Sequence, residues 1–456
     1  MRGKLARLLA GYRLPKVVRL LSEPRWYLAE IDRLHVKHSL WRSLYEARQD
    51  GVPFAAISFD RKRLARVLAD TVSRGAYVFE PGKVRQITVR GKERVVYAFR
   101  NTDRIVHGAV SAMLTEFCRP LFVPGLYSYL KGKNWCHAVS DLARYTRLHR
   151  RERRDPKDRG LFVIRRDVRK YTDTIPVGDA SPLWPILDEL LRLKHSRRDL
   201  TRFRDLVKQI IRPEFRTGGG LAMRYRGVPT GSPISTLLFN GYLTPLDRAL
   251  HSVPGAFYAR YSDDFIFAHP DPSTVQAAER TIDDILGGLQ LTTNDAKDYR
   301  LYFNGASRDS AAWPEARGVN KVSFLGCDVA FDATISLGKG KVRDILRDID
   351  ARARRTYRLL DKPTATTAGP LVCAAINSAL NPDEPSRHKA AIFLRRVITD
   401  RDQLKRLDYQ IARVILRVLT GSPSAKAFRS ISYRTLRKKW RLVSLYHARN
   451  RVARGA

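Results

Sequence analysis

With 456 residues, the chain exceeds what one simple core accommodates, so two or three domains are expected. A hydrophobic content of 44% is globular, and no apolar run reaches bilayer-spanning length, which argues against a membrane protein. The formal net charge of +40 favours a polyanionic partner, nucleic acid before an anionic membrane surface, because the basic residues are spread along the whole chain.

The N-terminus and the cysteines indicate the compartment. Charged side chains interrupt residues 1–11 before a signal-peptide core could form. The four cysteines have no paired spacing, which is typical of neither a disulfide framework nor a zinc module (Cys118, Cys136, Cys327 and Cys373). We therefore expect a bacterial cytoplasmic protein.

The first 76 residues are predicted to be helical and basic, with leucines recurring at helical spacing (Leu5, Leu8, Leu9, Leu40 and Leu44). Short strands follow. Val84–Val89 and Val95–Phe99 flank a turn and predict a hairpin that carries Arg94. A helix comes next, for which Asn101 or Thr102 is the expected N-cap.

Aromatic residues and lysines are mixed in Tyr127–Trp135, where Lys131 and Lys133 flank a glycine. This combination suits nucleotide or single-strand contact as well as it suits a surface loop. Beyond a charged connector, the strand Leu161–Ile164 leads to Asp167, a carboxylate on a rigid support.

A glycine- and proline-rich loop, Gly227–Pro233, directly precedes an apolar helix. Free backbone N–H groups and the helix dipole favour phosphate at such a helix start. By itself, a loop of this kind is a weak signal.

Two adjacent carboxylates, Asp263 and Asp264, lie between the apolar runs Phe257–Tyr261 and Phe265–Ala268. The pattern predicts a tight β-hairpin with the acidic pair at its tip. Adjacent carboxylates repel each other, so cation binding is one interpretation. An ordinary solvated turn, which Asp suits, is the other.

The rest of the chain predicts a helix over Val275–Leu286, a lysine at 297 and a strand with a central glycine over Val322–Val329. From about residue 340 the chain is predicted to be helical and very basic.

The order of these motifs resembles the palm of a reverse transcriptase of the bacterial, group II intron-like type, over about residues 80–335. The resembling segments are a first palm motif, a glycine-rich second motif, the signature tetrapeptide, a fourth motif and a primer grip (Asp167 with Asp173; Gly227–Pro233; Tyr261-Ser262-Asp263-Asp264; Lys297; Phe324-Leu325-Gly326).

This resemblance implies an α+β right-hand polymerase, with fingers and a palm built on antiparallel sheet, a helical thumb, and helical extensions at both ends. We expect an N-terminal helical basic region at 1–76, fingers at 77–160, the palm with the catalytic motifs at 161–335, and the thumb with a basic C-terminal extension at 336–456.

The resemblance also implies two Mg²⁺ ions, with Mn²⁺ as an alternative, held by Asp167, Asp263, Asp264 and the backbone carbonyl of Val168. The expected nucleotide-binding residues are Arg94, Lys131 or Lys133, Tyr171, Thr172, Thr230, Gly231 and Lys297. Lys297 either assists the departing pyrophosphate or is an ordinary surface lysine.

The sequence departs from the family pattern at two positions. An aromatic residue usually stands five positions after the first Asp and blocks a ribose 2′-hydroxyl. Here Thr172 stands there, beside Tyr171, so either Tyr171 takes the role or sugar discrimination is relaxed. Thr230 stands where Gln is usual, so the contacts with the template strand that the family pattern implies for Gln do not carry over to this position.

Basic residues of the thumb and tail are expected to contact nucleic acid (Arg343, Arg347, Lys438, Lys439, Trp440 and Arg441). The leading hypothesis is an RNA-directed DNA polymerase that uses dNTPs to copy an associated non-coding RNA into DNA in anti-phage defence. Missing nuclease and retron motifs favour the unknown-group, defence-associated members. The alternatives are a template-independent or protein-primed polymerase and a maturase-like RNA-binding protein. No membrane partner is expected, and the oligomeric state is open.

Overall fold

A computed structural model describes residues 17–37, 54–89, 92–152, 160–192, 200–217, 219–228, 232–380, 397–422 and 426–454. The predicted helices around Leu5 and Leu40 lie outside these ranges, as do Thr230 and Gly231. Among the described helices, none is long and apolar enough to cross a membrane.

Helices lie at both ends of the described part of the chain and pack against its sheets. In chain order they are α1 Val17–Leu21, α2 Pro24–Lys37, α3 Phe54–Phe59, α4 Arg61–Ser73, α5 Asn101–Cys118, α6 Trp135–Glu152, α7 Tyr171–Thr174, α8 Leu183–Leu190, α9 Thr201–Ile211, α10 Ser235–Gly241, α11 Thr244–His251, α12 Pro272–Gly288, α13 Lys339–Arg358, α14 Ala365–Leu380, α15 Arg401–Thr420, α16 Ala427–Ser430 and α17 Leu445–Arg454.

The strands form three sheets, and most neighbouring strands are antiparallel. The strands are β1 Gly82–Val89, β2 Lys92–Ala98, β3 Leu161–Asp167, β4 Phe215–Thr217, β5 Gly220–Ala222, β6 Phe257–Tyr261, β7 Asp264–His269, β8 Tyr299–Phe303, β9 Arg317–Val319, β10 Lys321–Phe324, β11 Cys327–Ala330 and β12 Ile335–Leu337. The sheets are ordered β2-β1-β4-β5, β6-β7-β3-β8-β9 and β10-β11-β12. The expected α+β architecture is confirmed.

The five-stranded sheet packs against a core on each of its two faces. Alternate side chains of a strand point to opposite faces, so a single strand contributes to both cores. On β3, Phe162 and Ile164 join the core under the N-terminal helices, whereas Leu161 and Val163 join the core shared with α6 and the C-terminal helices. The sheet is therefore a rigid support between two cores, and residues at the ends of its strands are held in place.

The predicted hairpin at the start of the sheet region is confirmed as β1–β2, which carries Arg94 opposite Ile87. β1 also pairs in parallel with β4, so residues from both sides of position 161 share this sheet. The predicted N-cap of α5 is wrong: the cap is Arg100, whose guanidinium donates to the carboxylate of Asp103 at 3.0 Å.

A buried ion pair fixes β6 against α11. Arg260 and Asp247 are 0% and 1% exposed, and the Arg260 Nε and Nη2 atoms each lie 2.6 Å from Asp247 oxygens. The Tyr258 hydroxyl donates to the same carboxylate at 2.6 Å. Arg260 also donates to the backbone oxygen of Ser262 at 2.9 Å, so the pair supports the turn after β6.

We predict that Asp247→Asn lowers the free energy of unfolding by about 3–5 kcal/mol, because it leaves the Arg260 charge buried and unpaired. Urea unfolding followed by circular dichroism measures the change. The matched variant Asp344→Asn, in the exposed pair with Arg347, should leave the unfolding midpoint almost unchanged. Equal midpoints for wild type and Asp247→Asn would contradict this prediction.

Candidate active site

Strand register brings three carboxylates to one end of the central sheet. Asp167 is the last residue of β3 and lies opposite Asp264, the first residue of β7. The backbone N–H of Val168 donates to the backbone oxygen of Asp263 at 3.1 Å. The side chains of these acidic residues therefore come from two neighbouring strands and the turn between β6 and β7.

The turn itself confirms the predicted hairpin. Tyr261 pairs with Asp264, which leaves Ser262 and Asp263 as the two turn residues. Ser262 has φ of +61°, the left-handed conformation that a tight hairpin turn requires. Asp263 thus lies at the tip, and Asp264 lies at the start of the returning strand.

Lys297 and Asn294 hold Asp167. The Lys297 Nζ atom lies 2.8 Å from the Asp167 Oδ2 atom, and the Asn294 backbone N–H donates to the Asp167 backbone oxygen at 2.8 Å. Asp167 is 9% exposed, so Lys297 neutralises a nearly buried carboxylate. The predicted lysine therefore reaches the site, whatever its role in the reaction.

Arg165 binds Asp264 with two hydrogen bonds, at 3.1 and 2.9 Å, and its guanidinium stacks over the Tyr299 ring. Burial raises the pKa of Asp264, although Arg165 opposes the shift. Within the described residues, no three acidic, His or Cys side chains lie close enough together to hold one ion. The ion pair with Arg165 occupies both carboxylate oxygens of Asp264.

Asp263 differs because no side-chain cation contacts it directly in the described part of the chain. Burial raises the pKa of Asp263, and the negative charges of Asp167 and Asp264 raise it further. Lys297 opposes this shift only in part, so the negative charge around Asp263 is not fully balanced, which is the condition that a divalent cation relieves.

Tyr171 does not face the site. It is 2% exposed, its hydroxyl donates to the Phe239 backbone oxygen at 2.9 Å, and its ring packs on Phe239. The expectation that Tyr171 contacts nucleotide is therefore corrected. Thr172 is only half-buried, and its backbone oxygen accepts a hydrogen bond from Val228 at 2.9 Å, which places the glycine-rich loop beside it.

The two lysines proposed for the triphosphate differ in availability. The Lys133 Nζ atom donates to the backbone oxygens of Pro124 and Leu126 and lies over the Tyr127 ring, and burial lowers its pKa. Lys131 is exposed. Arg94 lies in β2, but its side chain is outside the described part of the structure.

The turn between β10 and β11 consists of Leu325 and Gly326, and Phe324 is the last residue of β10. Phe324 is buried, whereas Leu325 and Gly326 have φ of +51° and +77°. Lys341, in the first turn of α13, donates to the Leu325 backbone oxygen at 2.9 Å, and its Nζ atom lies 3.4 Å from the centre of the Trp135 ring. The proposed primer grip is thus tied to the start of a C-terminal helix.

Five of the six residues predicted to contact nucleic acid are exposed (Arg343, Arg347, Lys438, Lys439 and Arg441). Trp440 is corrected, because it is 5% exposed and belongs to the C-terminal core. A side chain in place of Gly369 would collide with the Trp440 ring. Arg165 belongs to none of the predicted motifs, although its position two residues before Asp167 puts both side chains on one face of β3.

A model of the family "Reverse transcriptase (RNA-dependent DNA polymerase)" matches residues 82–329, more than half of the chain. The chain is also similar to Protein YkfC of Escherichia coli (strain K12), with 25% identity over 324 residues, 62% of this chain and 78% of that protein.

Two solved structures of Candida tropicalis telomerase are also similar. The apo enzyme truncated from its C-terminal domain shares 14% identity and a TM-score of 0.41, over 62% of this chain and 66% of that chain. The complex with the TWJ fragment of telomeric RNA shares 12% identity and a TM-score of 0.42, over 88% and 73%. Because both TM-scores are below 0.5, these two structures do not identify the family of this chain. The family model and the motifs identify it. The chain belongs to the reverse transcriptase family, the RNA-dependent DNA polymerases.

Proposed function

We propose that this protein copies RNA into DNA by two-metal nucleotidyl transfer at the carboxylates on β3, β7 and the turn before β7. The observation that carries the proposal is the register that places Asp167 beside Asp264 and Asp263. Carboxylate oxygens suit Mg²⁺, and burial together with the neighbouring carboxylates raises the pKa of Asp263.

In this proposal Asp167 and Asp263 are the principal metal ligands, with the Val168 carbonyl as a further one. Bound ions supply activation of the primer hydroxyl and neutralisation of the triphosphate. Asp264, which Arg165 holds, adds negative charge and fixes β7 beside β3. Lys297 is close enough to Asp167 to neutralise charge at the pyrophosphate, and Arg94 with the exposed Lys131 is assigned to the triphosphate.

The proposed partners are an RNA template, dNTPs and the DNA product. We assign an associated non-coding RNA as template and a role in anti-phage defence, and the support for both is the resemblance to group II intron-like, defence-associated members of the family. A maturase-like binding protein is the less favoured alternative, because a surface that only binds phosphates gains nothing from retaining Asp167, Asp263 and Asp264.

We predict that Asp263→Asn reduces DNA synthesis at least about a thousandfold, since a metal ligand contributes several kcal/mol to the transition state and each 1.4 kcal/mol is about tenfold in rate. A primed RNA template, Mg²⁺ and labelled dNTPs give the measurement. Asp332→Asn, in the exposed turn before β12, is the matched control and should keep full activity. Undiminished synthesis by Asp263→Asn would contradict the proposal.

We also predict that, in metal-free buffer near pH 7, Asp263→Asn unfolds at a higher urea concentration than wild type. Because the pKa of Asp263 is raised on folding, protonation of this group favours the folded state at low pH. That contribution is lost as pH rises through the folded-state pKa, and the charged carboxylate is then repelled by Asp167 and Asp264. The advantage of Asp263→Asn should therefore shrink as pH falls toward 4, within the ordinary Asp range. A lower midpoint for the variant at neutral pH would refute this account.

A second candidate activity is polymerisation that accepts ribonucleotides. The observation that favours it is the burial of Tyr171, whose hydroxyl is bonded to the Phe239 backbone. Thr172 is then the side chain left to contact the sugar, and it is smaller than the aromatic residue that the family pattern places there.

We predict that Thr172→Phe lowers ribonucleotide incorporation relative to deoxynucleotide incorporation by roughly tenfold, because a bulkier side chain excludes the 2′-hydroxyl. Single-nucleotide extension with dNTP and rNTP pairs measures the ratio. Thr174→Phe, on the same short helix, is the control for added bulk and should leave the ratio unchanged. If wild type already rejects ribonucleotides strongly and Thr172→Phe changes nothing, the second candidate fails.

A further inference from the structure

Three aromatic residues form a partly exposed cluster in the C-terminal region. Tyr409 on α15 stacks on Phe428 of α16 with ring centres 5.4 Å apart and an interplanar angle of 10°. Tyr433 lies 6.4 Å from Phe428. Tyr409 and Tyr433 are 44% and 38% exposed, whereas Trp440 and Leu436 nearby in the chain are buried. We call Tyr409, Phe428 and Tyr433 the aromatic platform.

The charged residues of the sequence that carries the platform are mostly basic. From Tyr409 to the last residue, the sequence has twelve Lys and Arg and no Asp or Glu. The acidic residue just before this stretch, Asp408, is buried and accepts hydrogen bonds from the Ser444 hydroxyl and the Leu445 backbone N–H. The Asp408 carboxylate therefore bonds groups inside the fold and is not on the surface.

Exposed arginines lie on both elements of the platform. Arg406 and Arg413 are three residues before and four residues after Tyr409, so they lie on the same face of α15. Arg429 and Arg434 directly follow Phe428 and Tyr433 and are exposed. Partly exposed aromatic rings and exposed arginines on the same segments are the combination that binds unpaired bases and their phosphates together.

We propose that the aromatic platform binds an unpaired stretch of RNA. A duplex is the poorer ligand, because its bases are already stacked on one another and cannot reach the rings. The inference rests on the proposed RNA partner and deepens it, since it assigns a second contact site on the chain that is separate from the carboxylates. Its function is to retain the RNA while the carboxylates act on another part of it.

The test compares binding of two labelled probes to the full-length protein by fluorescence anisotropy: oligo(rU) of about 20 nucleotides and an RNA duplex of about the same length. Tyr409→Ala combined with Tyr433→Ala should weaken oligo(rU) binding roughly tenfold or more and change duplex binding less than about twofold. Tyr409→Phe with Tyr433→Phe keeps both rings and should bind like wild type. Phe59→Ala removes an exposed aromatic residue elsewhere and should have no effect.

A second variant makes the test independent of the tyrosines. Arg429→Gln with Arg434→Gln should weaken oligo(rU) binding and reduce the slope of its salt dependence by roughly one for each phosphate that the variant no longer neutralises. Wild-type binding by both double variants, or equal weakening for oligo(rU) and duplex, would overturn the inference. DNA synthesis on a short annealed primer–template should persist in both variants. If wild type itself makes no DNA, the proposed function fails, whereas the binding result still decides the platform.

Discussion

Repulsion among carboxylates is the constraint on which the described site depends. Folding places Asp167, Asp263 and Asp264 at one end of the five-stranded sheet, where burial raises the pKa of Asp263 and the like charges of the other two carboxylates raise it further. Two cations offset part of this cost, Lys297 at Asp167 and Arg165 at Asp264. The packing of the sheet opposes the remaining repulsion, because the sheet is buried on both faces and Arg260 bonds the backbone of the hairpin turn.

The buried pair of Arg260 and Asp247 extends that rigidity to the turn. Arg260 stands two residues before Ser262 and bonds its backbone oxygen, so the tip that presents Asp263 is connected to α11. The proposed primer grip is held by a comparable device, since Lys341 bonds the Leu325 backbone from α13. Residues outside the motifs thus position the groups that the motifs supply.

Local patterns were enough to predict the hairpin, the strand before Asp167 and the β1–β2 ribbon, because alternation and turn residues act over a few positions. Partners distant in sequence were not predictable in this way. The sequence next to Arg260 does not indicate that its side chain is fully buried against Asp247. Tyr171 was expected at the nucleotide because of its place in the family pattern, and Trp440 was expected to contact nucleic acid. An aromatic side chain suits a core equally well, and both rings are buried.

The central claim is that this chain polymerises DNA on an RNA template at Asp167 and Asp263. The most direct measurement supplies purified protein with a primed RNA of known, non-repetitive sequence, all four dNTPs and varied Mg²⁺, and sequences the product. Our account predicts DNA complementary to the template, with yield that depends on Mg²⁺. A product unrelated to the template, or no product at any Mg²⁺ concentration, would contradict it.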